Sequence, residues 1–214
     1  MQEYKMIRNI RIEVIMDIKI TPIPAKQMIL IGATSRNSGK TTLALQIIDH
    51  YKNKVPIIAF ECIAIQDHGD ICPRGGKGCG ICHGLNGNFD ITEEEQYGEK
   101  DTMLLKKAGA EHVYLIRSLK KHMKDALEAA LRLVPKDTLV ICESNSARLV
   151  VEPACFVLIK SNTATHVKPT AKVVIEYADF ILEPRDDSFK DFVQNKLPLC
   201  NFNSDIKKKL SVVI

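Results

Sequence analysis

Met28-Ile-Leu-Ile-Gly-Ala-Thr-Ser-Arg-Asn-Ser-Gly-Lys-Thr-Thr-Leu-Ala-Leu45 is the stretch from which the fold can be read. Its apolar run, Met28 to Ile31, suits a buried strand and breaks at Gly32 into a loop of small residues. After Gly39-Lys40-Thr41-Thr42 the spacing becomes helical, with Leu43, Ile47 and Tyr51 on one stripe and Ala44 and Ile48 beside it. Strand, loop and helix in that order are the context of a phosphate-binding loop. Backbone N–H groups of the loop and of the first helical turn face an anion, and the helix dipole adds partial positive charge there. On this reading Thr34, Asn37, Ser38, Gly39, Lys40, Thr41 and Thr42 hold the nucleotide. Lys40 reaches the β- and γ-phosphates and the Thr41 hydroxyl ligates the bridging Mg²⁺. The first glycine of such a loop, five residues before Gly39, is Thr34 here, and Gly32 stands two residues earlier.

Downstream, Val55-Pro-Ile-Ile-Ala-Phe-Glu61 reads as a second short apolar strand ending in a carboxylate. Together with the first strand and helix it makes a βαβ unit, which joins parallel strands by a right-handed crossover. Ligands of such sheets sit at the carboxyl ends of the strands, which places Glu61 and Cys62 on the edge that carries the phosphate loop. Further strands are expected at Val113 to Ile116, Thr138 to Cys142 with Glu143 at its end, Cys155 to Ile159, Phe180 to Leu182 and Leu210 to Ile214. Helices are expected from Asp90, again at Lys100 to Lys107 with Gly109 as the stop, at Lys120 to Val134, and near 188 to 196 after the Asp186-Asp187 cap. The result is an α/β fold with a doubly wound, mostly parallel sheet. Residues 5 to 20 alternate apolar and polar side chains, so 1–24 form an N-terminal β extension that Pro22 and Pro24 close. Residues 25–214 form the phosphate-loop domain.

Residues 62–90 are a glycine- and cysteine-rich insertion without regular periodicity, and a loop of this length needs its own reason for order. Cys62, Cys72, Cys79 and Cys82 are separated by nine, six and two residues. Four thiolates suit either a tetrahedral Zn²⁺ or a [4Fe-4S] cluster, and the spacing does not choose between them. Cys142, Cys155 and Cys200 fall in apolar or terminal stretches and read as small core residues.

With 214 residues, 45% hydrophobic and 26% charged, the composition is that of a globular domain. A net charge of +4 spread along the chain points to neither nucleic acid nor a membrane surface. No apolar run approaches the length of a membrane span and the first nine residues lack a signal-peptide core, so a cytoplasmic location is expected. Glu143 and Glu61 are the candidate catalytic carboxylates, beside Mg²⁺ or the attacking water. No Asn-Lys-x-Asp motif follows the strand that ends at Ile159, so ATP and GTP both remain open as the nucleotide.

Ile31-Gly-Ala-Thr-Ser-Arg-Asn-Ser-Gly-Lys-Thr-Thr-Leu43, Lys100-Asp101-Thr102 with Ala108-Gly109-Ala110, and Val140-Ile-Cys-Glu143 together resemble the P-loop proteins allied to the molybdopterin-guanine dinucleotide biosynthesis adaptor, protein B, a class that includes metal-insertion GTPases. The resemblance covers about residues 28 to 183. It implies that Lys40, Thr41 and Glu143 serve the nucleotide and Mg²⁺, that the Asp101 to Ala110 segment is a helix over the sheet, and that the chain forms a homodimer with facing nucleotide sites. The expected function is a Mg²⁺-dependent NTPase with a cysteine-ligated centre, acting on a client metalloenzyme or cofactor-synthesis partner in cofactor maturation or metal delivery. Its rivals are a small-molecule kinase with Glu61 or Glu143 as base, and a nucleotide-dependent adaptor or metal sensor without turnover.

Overall fold

The structure, a computed structural model, describes residues 21–65, 85, 87–161 and 166–210. The expected strand at 5 to 20 and Cys72, Cys79 and Cys82 lie outside the described residues. Among the described residues seven strands form one sheet: β1 (Ile23–Ala33), β2 (Ile57–Ile65), β3 (Phe89–Glu93), β4 (His112–Leu119), β5 (Leu139–Glu143), β6 (Val151–Ile159) and β7 (Phe180–Leu182). The described α-helices are α1 (Lys40–Tyr51), α2 (Asp101–Ala108), α3 (Met123–Leu131), α4 (Pro169–Val174), α5 (Asp186–Asp191) and α6 (Ser204–Leu210). The strand order is β3-β4-β2-β5-β1-β6-β7, parallel except for β3, which runs antiparallel to β4. From β1 the chain builds outward on one side to β2 and β4, returns to place β5 between β2 and β1, and then builds β6 and β7 on the other side. That reversal beside β1 is the topological switch point, where the strand-to-helix turns diverge and leave a crevice.

Side-chain alternation on the central strands divides the core into two layers. Ile29, Ile31, Ile57, Ala59 and Ile141 face α1 and the C-terminal helices, with Leu43, Ile47, Phe192 and Ile206 packed against them. Met28, Leu30, Phe60, Val140 and Phe156 face the other way, onto Met123, Ala126, Leu127 and Ala130 of α3. Strands covered on both faces are apolar without a polar side, which is why β1 and β5 read as continuous hydrophobic runs. Gly109 terminates α2 in the left-handed region at φ 119°.

Several elements differ from expectation for identifiable reasons. The helix expected from Asp90 is instead β3. Asp90 lies opposite Arg117 in the register and accepts from its Nε at 2.9 Å and its Nη2 at 2.5 Å, while Ile91 pairs with Ile116. A cross-strand ion pair and the burial of Phe89 and Ile91 outweigh a local capping preference. Pro24 lies inside β1 rather than closing an upstream strand. At this end β1 is hydrogen-bonded only to β6, and Ile23 N–H donates to Val150 O. The next N–H points to the other side, where β5 pairing begins only at Met28, so proline costs no ladder bond. β2 continues four residues beyond Glu61, because Cys62 to Ile65 complete the ladder against Ile116 to Leu119. Glu61 is therefore in mid-strand, and residues 62 to 65 belong to the sheet rather than to the insertion. The C-terminal strand expected from Leu210 does not start there: Leu210 is the last residue of α6, buried with Ile206, and 211–214 lie outside the described residues. Asn203 Oδ1 caps α6 by accepting from Ile206 N–H at 2.9 Å. Among the described residues no helix is long and apolar enough to cross a membrane.

Candidate functional site

The turn from β1 into α1 is held from behind. Thr34, at the position where such a loop ordinarily carries glycine, is buried and keeps φ out of the left-handed region; its N–H donates to Ile159 O and its carbonyl accepts from Lys168 N–H at 2.8 Å. Its hydroxyl lies between Ile159 O and Ser161 N–H. The side chain thus points into the protein, and the loop tolerates threonine because its hydroxyl finds buried partners there. Ser35 and Ser38 hydroxyls meet at 2.5 Å and close the loop on itself. Asn37 at φ 53° and Gly39 at φ 91° supply the two left-handed residues of the turn. A Cβ on Gly39 would also lie 3.3 Å from the Phe189 ring of α5. The first turn of α1 carries Lys40, Thr41 and Thr42 and no acidic residue, so nothing within it offsets the positive end of the helix dipole. Thr42 is exposed.

Gly32 serves a different purpose from that suggested by its place near the loop. A Cβ there would stand 2.7 Å from Asn145 Oδ1 and 3.0 Å from Phe156 and Leu158. The space is taken by Asn145, which follows β5 and clamps the end of β1. Its Oδ1 accepts from Ala33 N–H at 2.8 Å, and its Nδ2 donates to Ala33 O at 3.0 Å and to Thr170 Oγ1 at 3.2 Å. Asn145→Ala leaves the Ala33 N–H and carbonyl without that partner at the root of the loop. The expected cost is about 2 to 4 kcal/mol, read as a lowered urea midpoint. A midpoint equal to that of the parent would show that the clamp contributes nothing.

Beside the loop, Glu143 ends β5 and pairs in register with Ile31 of β1 and Glu61 of β2. It is buried, at 4% exposure. Its Oε2 accepts from Thr41 Oγ1 at 3.2 Å and lies 3.7 Å from Lys40 Nζ, while Oε1 is buried with no partner. Burial pushes its pKa up to about 7. Lys40 opposes that shift, Asp101 and Glu61 add to it, and the Thr41 bond opposes it. These residues face a cleft of about 560 Å³ at the carboxyl ends of β1, β5 and β2. Arg36, Asn37 and Lys40 line it from the loop, Glu61 and Cys62 from β2, Asp101 from α2, Ser144 to Ser146 after β5, and Lys168 and Thr170 from the start of α4.

The fold therefore brings Asn37, Lys40, Thr41, Glu61 and Glu143 around one cleft, and sets Thr34 and Ser38 behind the loop as its supports. Asn145, Asp101 and Arg36 complete the surroundings, and sequence reasoning does not single them out as site residues. The one sequence signal for Asn145 is its place two residues after the strand-end acid. Cys62, expected to open the thiolate cluster, lies inside β2 with its sulfur 3.5 Å from that of Cys142. Cys142, Cys155 and Cys200 are buried. Among the described residues no group of three or more His, Cys, Asp and Glu side chains is arranged to hold a metal ion.

No protein-family model and no curated protein matches the chain. Among solved structures it is similar to the "apo" form of LpxK from Aquifex aeolicus in complex with ATP, at 17% identity with a TM-score of 0.45. The match covers 84% of this chain and 53% of that one, so the chain spans about half the length of the protein it matches.

Proposed function

We propose that the chain is a Mg²⁺-dependent P-loop protein that binds a nucleoside triphosphate and cleaves its β–γ phosphoanhydride bond. One observation carries the reading: Lys40 and Thr41, from the N-terminus of a helix behind a phosphate-type loop, converge on a buried carboxylate that has one oxygen without a partner. Mg²⁺ is held by one or two carboxylates, with substrate phosphates and waters completing its shell. Thr41 Oγ1 and Glu143 fit that donor set, and Asp101 and Glu61 add negative charge nearby. Bound Mg²⁺ would screen the β- and γ-phosphate charge and favour departure of the diphosphate. Lys40 binds the same phosphates from the loop side, and Arg36 and Lys168 stand at the cleft rim. Glu143 would serve the Mg²⁺ ion as its buried carboxylate donor, and the ion's charge would lower a pKa that burial raises to about 7.

A second reading, transfer of the phosphoryl group to a substrate hydroxyl, is favoured by Glu61. It stands one strand from Glu143 on the same sheet face, inside a cleft wide enough for an acceptor, and would serve there as base. A role in cofactor maturation or metal delivery is supported by the sequence resemblance and the spacing of Cys62, Cys72, Cys79 and Cys82 alone.

Among the described residues three cleft cations, Arg36, Lys40 and Lys168, face three cleft acids, Glu61, Asp101 and Glu143, so a triphosphate without metal meets repulsion where its γ-phosphate would sit. Calorimetric titration with ATP and GTP is expected to show at least about tenfold tighter binding with Mg²⁺ than with chelator. No binding of either nucleotide, or binding indifferent to Mg²⁺, would overturn the reading. Phosphate released to water identifies the hydrolase, and phosphate found on an added hydroxyl compound identifies the kinase.

A further inference from the structure

We infer that Cys62 and Cys142 are a redox-active dithiol at the floor of the cleft, forming a reversible disulfide that disables the site and is blocked when nucleotide is bound. The coupling to nucleotide rests on the proposed triphosphate binding; the dithiol itself does not.

The two sulfurs lie 3.5 Å apart, on the sheet face opposite Glu61 and Glu143. A disulfide needs about 2.05 Å, so the pair must close by about 1.5 Å. Cys142 stands opposite Phe60 in the register, two residues before Cys62, so the thiols meet on a diagonal and closure requires β2 and β5 to slide against each other at their carboxyl ends as well as χ1 rotation. Accessibility is unequal. Cys62 lines the cleft and retains 8% exposure, whereas Cys142 is fully enclosed. Cys62 is thus the sulfur that an oxidant entering the cleft meets, and Cys142 is the resolving thiol behind it. Cys155 and Cys200 make a second buried thiol contact beneath the C-terminal helices, away from the cleft lining, and provide an internal control that stays reduced.

The chemistry balances with a low-molecular-weight disulfide as oxidant. The Cys62 sulfur attacks one sulfur of the reagent, whose S–S bond breaks, and the first thiol leaves with the Cys62 proton. The Cys142 sulfur then attacks Cys62, the mixed disulfide breaks, and the second thiol leaves with the Cys142 proton. Two protein thiols are oxidised to one disulfide and the reagent is reduced to two thiols.

The consequence for the site follows from chain connectivity. Cys62 and Cys142 each precede or follow, by one peptide bond, one of the two register-paired carboxylates Glu61 and Glu143. Drawing the sulfurs together shifts the strand segments that carry both acids, and Glu143 holds its contacts to Thr41 and Lys40 at only 3.2 and 3.7 Å. A nucleotide in the cleft covers Cys62 and excludes the oxidant.

The test treats the full chain with oxidised glutathione, with and without Mg·ATP, and follows products by intact mass and non-reducing peptide mapping. The expected result is a cross-link between the peptides of Cys62 and Cys142, formed at least about tenfold more slowly with Mg·ATP present, with turnover lowered at least about tenfold and restored by dithiothreitol. Cys142→Ala is expected to stop at a glutathione adduct on Cys62. Complete oxidation without a Cys62–Cys142 link, or Cys62 linked to another cysteine, overturns the dithiol. Equal rates with and without Mg·ATP, under conditions where calorimetry shows it bound, overturn the coupling. Absence of ATP and GTP binding defeats the nucleotide reading instead, and the cross-link still decides the dithiol.

Discussion

Lys40→Ala is expected to lower turnover by about two to three orders of magnitude while leaving the fold intact. Lys40 stands at the first position of α1 with its ammonium group toward Glu143 and the cleft. A donor placed where phosphoryl charge develops contributes about 3 to 4 kcal/mol to the transition state, because a desolvated site cannot replace it with water at the moment of reaction. The side chain is 26% exposed and belongs to neither core layer, so its loss opens no cavity. Removing it also takes away the cation that opposes protonation of Glu143, so the Glu143 pKa should rise further in the variant. The distinguishing measurements are phosphate release and nucleotide titration beside a thermal melt. Turnover within threefold of the parent, with nucleotide affinity unchanged, would remove Lys40 from the site.

The second large effect concerns Glu143 and carries opposite signs for stability and for function. Its folded pKa, about 7, lies above its ordinary value of 4.5. The folded protein therefore binds this proton more tightly than the unfolded chain does, and stability falls as pH rises. Below about 4.5 the group is protonated in both states and imposes no penalty. Between 4.5 and 7 the penalty grows, and above 7 it is fully developed, at about 3 kcal/mol for a shift of this size. Glu143→Gln keeps the shape and removes the ionisation. Without ligands, the variant should be more stable than the parent at pH 8 by up to about 3 kcal/mol and close to it at pH 4.5, so the difference itself must be pH-dependent. Turnover should fall in the same variant by at least about a hundredfold, since the amide cannot hold Mg²⁺ as an anion. The measurements are urea denaturation across that pH window and steady-state phosphate release. Equal pH dependence in parent and variant would show that Glu143 does not titrate where its burial places it.

These two expectations rest on a site whose components are unequally legible in the sequence. Lys40, Thr41 and the loop are readable because a strand-to-helix turn is local: an apolar strand, a short turn containing Gly39 and an amphipathic helix follow one another without interruption. Glu143 is readable for a similar reason, as a carboxylate ending a hydrophobic run. Asn145 is not, because its bonds run to Ala33, 112 residues away, and nothing in Ser-Asn-Ser announces a partner so distant. The role of Gly32 is hidden with it, since the space it leaves matters only once the Asn145 side chain occupies it. The strand at Phe89–Glu93 escapes for a related reason. Asp90 followed by Ile-Thr-Glu-Glu resembles a helix start in isolation, and only the presence of Arg117 on the neighbouring strand gives the carboxylate a better partner than a backbone N–H.

The sequence by itself determined the class of fold, the order of its central elements and the tight turn from β1 into α1, because hydrophobic period, glycine placement and capping act over a few residues and are written in consecutive positions. Only the tertiary structure decided which strands are neighbours, and with that the pairing of Glu61 with Glu143, the burial that lifts Glu143 toward neutral pH, and the meeting of Cys62 with Cys142. Those properties depend on distances between segments far apart in the chain, and the side chains that set them acquire their dielectric surroundings and their partners only when the sheet has closed around β5.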